Sequence, residues 1–341
     1  MKLLLVKTSS LGDVLHTLPA LTEARAQVPA LDCHWVVEEA YADIPAWHPA
    51  VTAVLPLAIR RWRRTPLAAW RGGELRAFLA RLRAQRYDCV LDAQGLLKTA
   101  PVTLLARGPR VGFDRRSARE GLASFVYDRA VPVDRRQHAV ERLRALFAGA
   151  LGYTPAPTAP DYGIDRARLP EPPQQGDYLV FLHGSTWPSK LWPESHWRAL
   201  IAHAESAGFR VLLPFGDAAE QQRAQTLAQG FAHASVLPPL GLPQLAATLA
   251  GARAVVGVDS GPTHLASALG VPTLSIYGAT DPALTGTWGH RQRRMQARYP
   301  CAPCLRRTCR FAVEDAPYPP CYGQLGADAV WTQLEALQAA A

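Results

Sequence analysis

The sequence predicts an α/β protein of two units, each built on a parallel sheet. Three observations lead there. Short apolar runs alternate with helical stretches along the chain, the pattern of parallel βαβ units. The alternation stops in a Pro-rich tract over 154–175 and then starts again. At 341 residues the chain has room for two ordinary domains, each able to bury a core without disulfides or an obligatory metal. The expected division is 1–160, a linker over 161–176, and 177–341.

Leu3-Leu4-Leu5-Val6 reads as the first strand, Lys7 to Asp13 as its polar turn, and Val14, Leu15, Leu18 and Leu21 as the apolar face of a helix. Trp35-Val36-Val37 and Cys89-Val90-Leu91 are further strands, the latter followed by the turn Asp92-Ala93-Gln94-Gly95. After the Pro-rich tract come Tyr178–Leu182, Phe209–Leu213, Ala254–Val258 and Thr273–Tyr277. No period of 20–50 residues suggests a solenoid. In parallel sheets, ligands bind at loops beyond the carboxyl ends of strands. That rule singles out the loops at 7–13, 92–98, 183–190, 214–220, 259–264 and 278–282.

Apolar residues at 48% and charged residues at 19% exclude wholesale disorder. No apolar stretch approaches a membrane span. The run Leu3–Val6, closed by Lys7, is too short for a signal peptide, so a cytoplasmic location is expected. The net charge of +9 is uneven: residues 1–170 carry 25 Lys+Arg against 16 Asp+Glu, whereas 171–341 carry 12 of each. The excess is densest from Arg60 to Arg86, with nine Arg and one acid, Glu74. Trp62, Trp70, Leu75, Phe78 and Leu79 lie among them. Such a mixture suits a phospholipid or phosphorylated glycolipid surface; it would also suit nucleic acid, or be a solvated helix face. The Ile59–Arg64 cluster has no acids to pair with.

The strongest local motif is Val258-Asp259-Ser260-Gly261-Pro262-Thr263-His264. A strand ends at Asp259, Gly261 allows a tight turn, and Pro262 fits the first helical position. The helix N-terminus would offer free N–H groups to an anion, with Ser260 and Thr263 as hydroxyl donors. The alternative is a well-capped βα turn. Ser185, Thr186 and Lys190 follow another strand, and the Lys could neutralise a leaving phosphate or merely decorate the surface. G-x-G-x-x-G and G-x-x-x-x-G-K-[ST] are absent, which argues against a dehydrogenase or P-loop enzyme. Asp13 begins the first helix; it either caps that helix or removes a proton from an attacking hydroxyl. His16, one turn on, either tunes it or packs. Cys33 and Cys89 read as inert core. Cys301, Cys304, Cys309 and Cys321 favour a structural zinc over disulfides in a cytosolic chain.

These residues resemble the ADP-heptose lipopolysaccharide heptosyltransferases, the type I branch more than type II, over nearly the whole chain. The resemblance is carried by Val6 to Leu21, Trp35–Glu39, Ile59–Arg63, Asp92–Leu96 and His138–Arg142. In the second half, Lys190–Glu194, Asp259–His264 and Tyr277–Pro282 continue it. It implies a GT-B fold of two Rossmann-like domains facing a central cleft, and inverting transfer of L-glycero-D-manno-heptose from ADP-heptose to the Kdo residue of Kdo2-lipid A. By position it makes Asp13 the general base and Lys190 the residue steadying the pyrophosphate. It places Ser185, Thr186, Glu220 (ribose), Leu240 (adenine), Asp259, Ser260, Gly261, Pro262, Thr263 and His264 at the donor. Arg60, Arg61, Arg63, Arg64, Arg119 and Arg142 form the basic acceptor patch. The cysteine segment is present in only some relatives.

The expected partners are therefore ADP-heptose, Kdo2-lipid A and the anionic inner leaflet of the cytoplasmic membrane, with no nucleic acid. With no Asp-x-Asp pair, no metal is required for transfer, though a divalent cation could stimulate it. Base and phosphate site fall on opposite domains, so closure about 154–175 is expected. The rival readings are another GT-B sugar-nucleotide enzyme, such as an epimerase or hydrolase, and a basic nucleic-acid protein, for which no recognised motif is found.

Overall fold

A computed structural model describes residues 1–174, 176–312 and 318–340; Gln175 of the expected linker and Ala341 of the expected second domain lie outside these. The chain divides into two compact units, Met1–Asp165 and Arg166–Ala341.

The first unit holds β1 (Lys2–Val6), β2 (Asp32–Glu38), β3 (Val51–Leu57), β4 (Cys89–Asp92), β5 (Arg110–Phe113) and β6 (Arg129–Val131). They form one parallel sheet in the order β3-β2-β1-β4-β5-β6. The second holds β7 (Tyr178–Leu182), β8 (Arg210–Leu213), β9 (Ala234–Val236), β10 (Ala254–Val258), β11 (Thr273–Tyr277) and β12 (Gln292–Gln296), ordered β12-β11-β10-β7-β8-β9 and again parallel. Counted from the first strand of each, both sheets run 3-2-1-4-5-6. Each therefore reverses its winding between its first and fourth strands, and the loops leaving β1 and β4, or β7 and β10, flank a crevice.

The inner strands are buried on both faces, which is why they read as continuous apolar runs. Leu3 to Val6 are fully buried, with Leu5 in register with Trp35 on one side and Leu91 on the other. The strands without a sequence signal lie outside them. β3 carries Pro56, tolerated at a sheet edge. β12 reads Gln-Arg-Arg-Met-Gln, as an exposed edge permits. β6 and β9 are edge strands of three residues, and β5 has four.

In the first core, Leu4, Val6, Val36 and Val90 meet Phe78 and Leu82. Those two project from helix Glu74–Arg83, the third of three short helices into which the Arg-rich segment folds after Ile59–Arg64 and Pro66–Arg71. In the second, Trp192 and Trp197 meet edge to face at 5.0 Å, and the last helix, Ala327–Ala339, adds Val330 and Leu334. Cys33 and Cys89 are buried core, and burial pushes the Cys89 thiol up to about 11.

The start of the expected linker packs on the first unit. Asp165 N–H donates to the Trp47 carbonyl at 3.0 Å. Gly163, at φ +60°, sits where a Cβ would press on Thr22 and His48. Among the described residues, no helix is long and apolar enough to cross a membrane.

Candidate active site

In the first unit, the loop leaving β1 carries Asp13 into helix Leu11–Leu15. Asp13 Oδ2 accepts from Ser10 N–H (2.7 Å) and Ser10 Oγ (3.0 Å): the helix begins at Leu11 rather than at Asp13, Ser10 is its N-cap, and Asp13 as third helical residue closes the capping box. Both bonds use one oxygen, and the side chain is half-exposed. The loop is pinned from beneath. Asp92, at the end of β4, accepts from Gln94 N–H and Gly95 N–H through Oδ1, and from Thr99 Oγ1 and Tyr127 Oη through Oδ2. Gln94 Oε1 in turn accepts from Thr8 N–H (3.0 Å) and Ser9 N–H (3.1 Å). Lys98 Nζ donates to Ser9 Oγ at 2.6 Å, and buried Lys7 donates to the Ala93 carbonyl at 3.1 Å. Burial lowers the Lys7 pKa, with Asp13 and Asp92 pulling the other way. His16 is buried and packs edge to face on His138 at 5.5 Å.

Gln94 was not among the expected site residues, although its turn was. It is the brace between the two loops of the switch point. On the reading that the resemblance implies, Gln94→Ala should slow turnover about tenfold by loosening the loop, with nucleotide affinity unchanged, measured by steady-state turnover and calorimetric titration. Unchanged turnover would remove it from the machinery.

The basic residues separate on inspection. Arg60, Arg61, Arg63 and Arg64 all lie on helix Ile59–Arg64 and are exposed. Arg61, however, is not an unpaired cation. It binds Glu39 at 3.0 Å and Glu74 at 2.8 Å, and those hydrogen bonds raise its pKa. The expectation that the cluster lacks acids is corrected here: the acids come from elsewhere in the sequence, one just after β2 and one two helices on. Arg60 lies over the Tyr41 ring at 5.7 Å. Arg142 is half-buried, donates to the Ser117 carbonyl (2.8 Å) and covers the Phe113 ring (5.3 Å). Arg119 is exposed, and both it and Arg142 act electrostatically on Lys7, which places them about the same loop.

In the second unit, Asp259 follows directly on β10, which stops one residue short of the expected end, and is the hub. Lys190 Nζ lies 2.7 Å from its Oδ2, Thr280 Oγ1 donates to Oδ2 at 2.5 Å, and His264 Nε2 is 3.3 Å from Oδ1. Burial would raise this carboxyl, but the His264 and Lys190 contacts outweigh it and hold the pKa well below the usual carboxylate range. Lys190 also rides over the Trp187 ring at 4.7 Å. Thr280 and Trp187 were missed as site residues. Thr280 lies in the flagged loop after β11, and it is the β10–β11 pairing that brings it to Asp259.

Helix Gly261–Ala268 follows at once. Ser260 is its N-cap yet makes no side-chain cap bond, so the helix N-terminus is left open to a ligand. Pro262 is the second helical residue, not the first as expected, a position where its missing N–H still costs nothing. Thr263 Oγ1 donates to the Val258 carbonyl (2.7 Å) and lies 3.1 Å from Ser260 Oγ. Ser185 Oγ donates to the Asp259 carbonyl at 3.3 Å, while Thr186 is exposed. Glu220 lies against this loop because Gly184 has no Cβ, which would overlap its carboxyl. Its Oε2 accepts Gly216 N–H at 2.7 Å, and burial raises its pKa. Leu240 is half-buried in the turn between β9 and helix Leu242–Ala250. His183, buried at the end of β7, is neutral: burial pushes its pKa down to about 4.

Cys301, Cys304, Cys309 and Cys321 are free thiols lining one small apolar pocket with Tyr299 and Phe311. Among the described residues, no group of three or more His, Cys, Asp and Glu is arranged to hold a metal ion. The segment also buttresses the loop that carries Lys190. Ser189 N–H donates to the Arg307 carbonyl (3.2 Å), Tyr322 Oη to the Lys190 carbonyl (3.1 Å), and Leu305 N–H to the Ala279 carbonyl (2.7 Å).

Known proteins share this architecture. The profile of Glycosyltransferase family 9 (heptosyltransferase) matches residues 75–313. Lipopolysaccharide heptosyltransferase 1 of Pseudomonas aeruginosa is 52% identical over 99% of this chain and 98% of that protein. The structure of E. coli heptosyltransferase WaaC with ADP superposes with a TM-score of 0.88 at 44% identity, covering 99% of this chain and all of that one. WaaC with ADP-2-deoxy-2-fluoro heptose gives 0.84 over 98% and 99% at the same identity. The fold is thus GT-B, and the chain belongs to glycosyltransferase family 9, the heptosyltransferases.

Proposed function

We propose that this glycosyltransferase moves L-glycero-D-manno-heptose from ADP-heptose to the Kdo residue of Kdo2-lipid A, with inversion at the anomeric carbon. The observation that carries the donor half is the charge arrangement at the end of β10: Lys190 held 2.7 Å from Asp259, beside a helix N-terminus with no side-chain cap. That combination suits a diphosphate. The E. coli relatives that bind ADP and a fluoro-heptose analogue of the donor support the same reading.

In the proposed step, Asp13 takes the proton of the Kdo hydroxyl as its oxygen attacks the anomeric carbon. The bond from that carbon to the β-phosphate oxygen breaks, and ADP carries away the electron pair. Lys190 and the N–H groups of helix Gly261–Ala268 neutralise the charge that develops on it. A single displacement from the face opposite ADP inverts the centre. Glu220 binds the ribose, Leu240 lies on the adenine, and Ser185, Thr186, Ser260, Thr263 and His264 line the donor. Arg60, Arg61, Arg63, Arg64, Arg119 and Arg142 meet the carboxylates and phosphates of the acceptor, Arg61 while it is held by Glu39 and Glu74. A lipid-linked acceptor places the enzyme peripherally on the anionic inner leaflet. No divalent cation is required for the chemical step.

The test is ADP release from ADP-heptose with and without Kdo2-lipid A, in EDTA and in magnesium. Release that depends on acceptor and persists in EDTA is expected. Release without acceptor would assign a hydrolase or epimerase. Loss in EDTA, restored by magnesium, would make the metal part of the reaction.

A further inference from the structure

The first unit carries an apolar surface outside the Arg60–Arg86 segment. Isolated exposed apolar side chains need no account, but here five come from three adjoining segments. Phe125 and Leu122, 73% and 58% exposed, project from the 3₁₀ segment Gly121–Val126, which buries Ala123 between them. Leu104 and Leu105, 48% and 42% exposed, end helix Ala100–Leu105, and Leu97, 48% exposed, lies in the loop after β4. The helix and the 3₁₀ segment pack on each other. Glu120 Oε2 accepts Leu97 N–H at 2.6 Å, which ties the third segment in.

The charge around this surface is one-sided. Residues 97–129 carry seven Lys+Arg and three Asp+Glu. The three acids are engaged: Asp128 on Arg110, Asp114 on Ser117 N–H, and Glu120 on Leu97 N–H. Arg115, Arg116 and Arg119 are exposed. Apolar side chains rimmed by arginine match an anionic bilayer, where the apolar groups enter the acyl boundary and the guanidinium groups meet lipid phosphates. Lys98, next to Leu97, reaches Ser9 of the Asp13 loop at 2.6 Å. The surface therefore adjoins the loop that would serve the acceptor.

We propose that Leu97, Leu104, Leu105, Leu122 and Phe125 form a membrane-docking face that seats the first unit in an anionic leaflet. Its role rests on the lipid-acceptor reading, but the docking is measured without any transfer. The experiment is co-sedimentation of the full chain, wild type and Leu122→Ser/Phe125→Ser, with vesicles of phosphatidylethanolamine and phosphatidylglycerol. Vesicles of phosphatidylcholine alone serve as the neutral arm. Wild type should bind the anionic vesicles and the variant about tenfold less or weaker, with unchanged melting temperature and unchanged ADP release from acceptor dispersed in detergent. Release from acceptor embedded in vesicles should fall. Equal vesicle binding by both proteins would overturn the proposal, as would wild-type binding that is no weaker on neutral vesicles. A wild-type dimer that the variant dissolves would overturn it in favour of a second copy of the chain. If wild type binds vesicles yet never transfers heptose to Kdo2-lipid A in detergent, the acceptor assignment fails and the docking face stands.

Discussion

Asp13→Asn should lower acceptor-dependent ADP release by about 10²–10⁴-fold, the range general-base catalysis contributes, while leaving ADP affinity and melting temperature in place. Asparagine is the informative replacement because of the hydrogen bonds Asp13 makes. Its Oδ2 accepts from Ser10 N–H and Ser10 Oγ. An amide oxygen can accept the same two bonds, so the cap survives and only basicity is lost. Asp13→Ala removes both, and should additionally lower the melting temperature by opening the capping box on Ser10. Turnover, calorimetric ADP titration and a thermal melt on the two variants separate the roles. Near-normal turnover in Asp13→Asn would reduce this carboxylate to a cap.

Lys190→Ala should damage donor use and stability together. Lys190 and Asp259 are both largely buried. Removing one partner of a buried pair costs about 3–5 kcal/mol when the other charge is left uncompensated. Thr280 and His264 remain on Asp259, so the cost should sit at or below the low end of that range. Turnover should fall about 10²-fold, the size of effect seen when one preorganised stabiliser of developing charge is removed. The folded pKa of Asp259 is depressed. Its contribution to stability is therefore fully present above the unfolded carboxylate value of about 3.9 and is lost as pH falls below that toward the lower folded value. Asp259→Asn should flatten this acid limb of the melting curve. A variant as acid-sensitive as wild type would show that other carboxylates set the limb.

How much of this was legible follows from where each residue gets its partners. The strands around β1 and β10 could be read because they are buried on both faces and are mostly apolar, their few polar residues being buried with them. The outer strands could not: β12 is mostly polar, and β3 contains Pro56. The turn after β10 announced itself through Asp259, Gly261 and Pro262, which are local. The residues that make Asp259 a hub are not local, since Lys190 and Thr280 arrive from the loops after β7 and β11. Arg61 teaches the same lesson with opposite sign. Its own helix holds no acid, yet Glu39 and Glu74 close on it in the fold. Gln94 lay in a recognised turn, but its work is done on Thr8 and Ser9 of another loop. The first helix left two readings of Asp13 open, and the cap proves real without displacing the other.

The two sheets share one strand order, and the consequence is modularity. Loops leaving β1 and β7 occupy equivalent places in their sheets, and an aspartate stands near the end of each fourth strand, Asp92 as the last residue of β4 and Asp259 just past β10. In one unit the aspartate is spent inside the scaffold on Thr99, Tyr127 and two backbone amides; in the other it organises a lysine, a threonine and a histidine. One strand order thus carries two different sets of loop chemistry. Because each set of loops hangs from its own sheet, mutations that retune one half leave the core of the other untouched. A chimera joined near 165–166 should therefore keep both sheets intact.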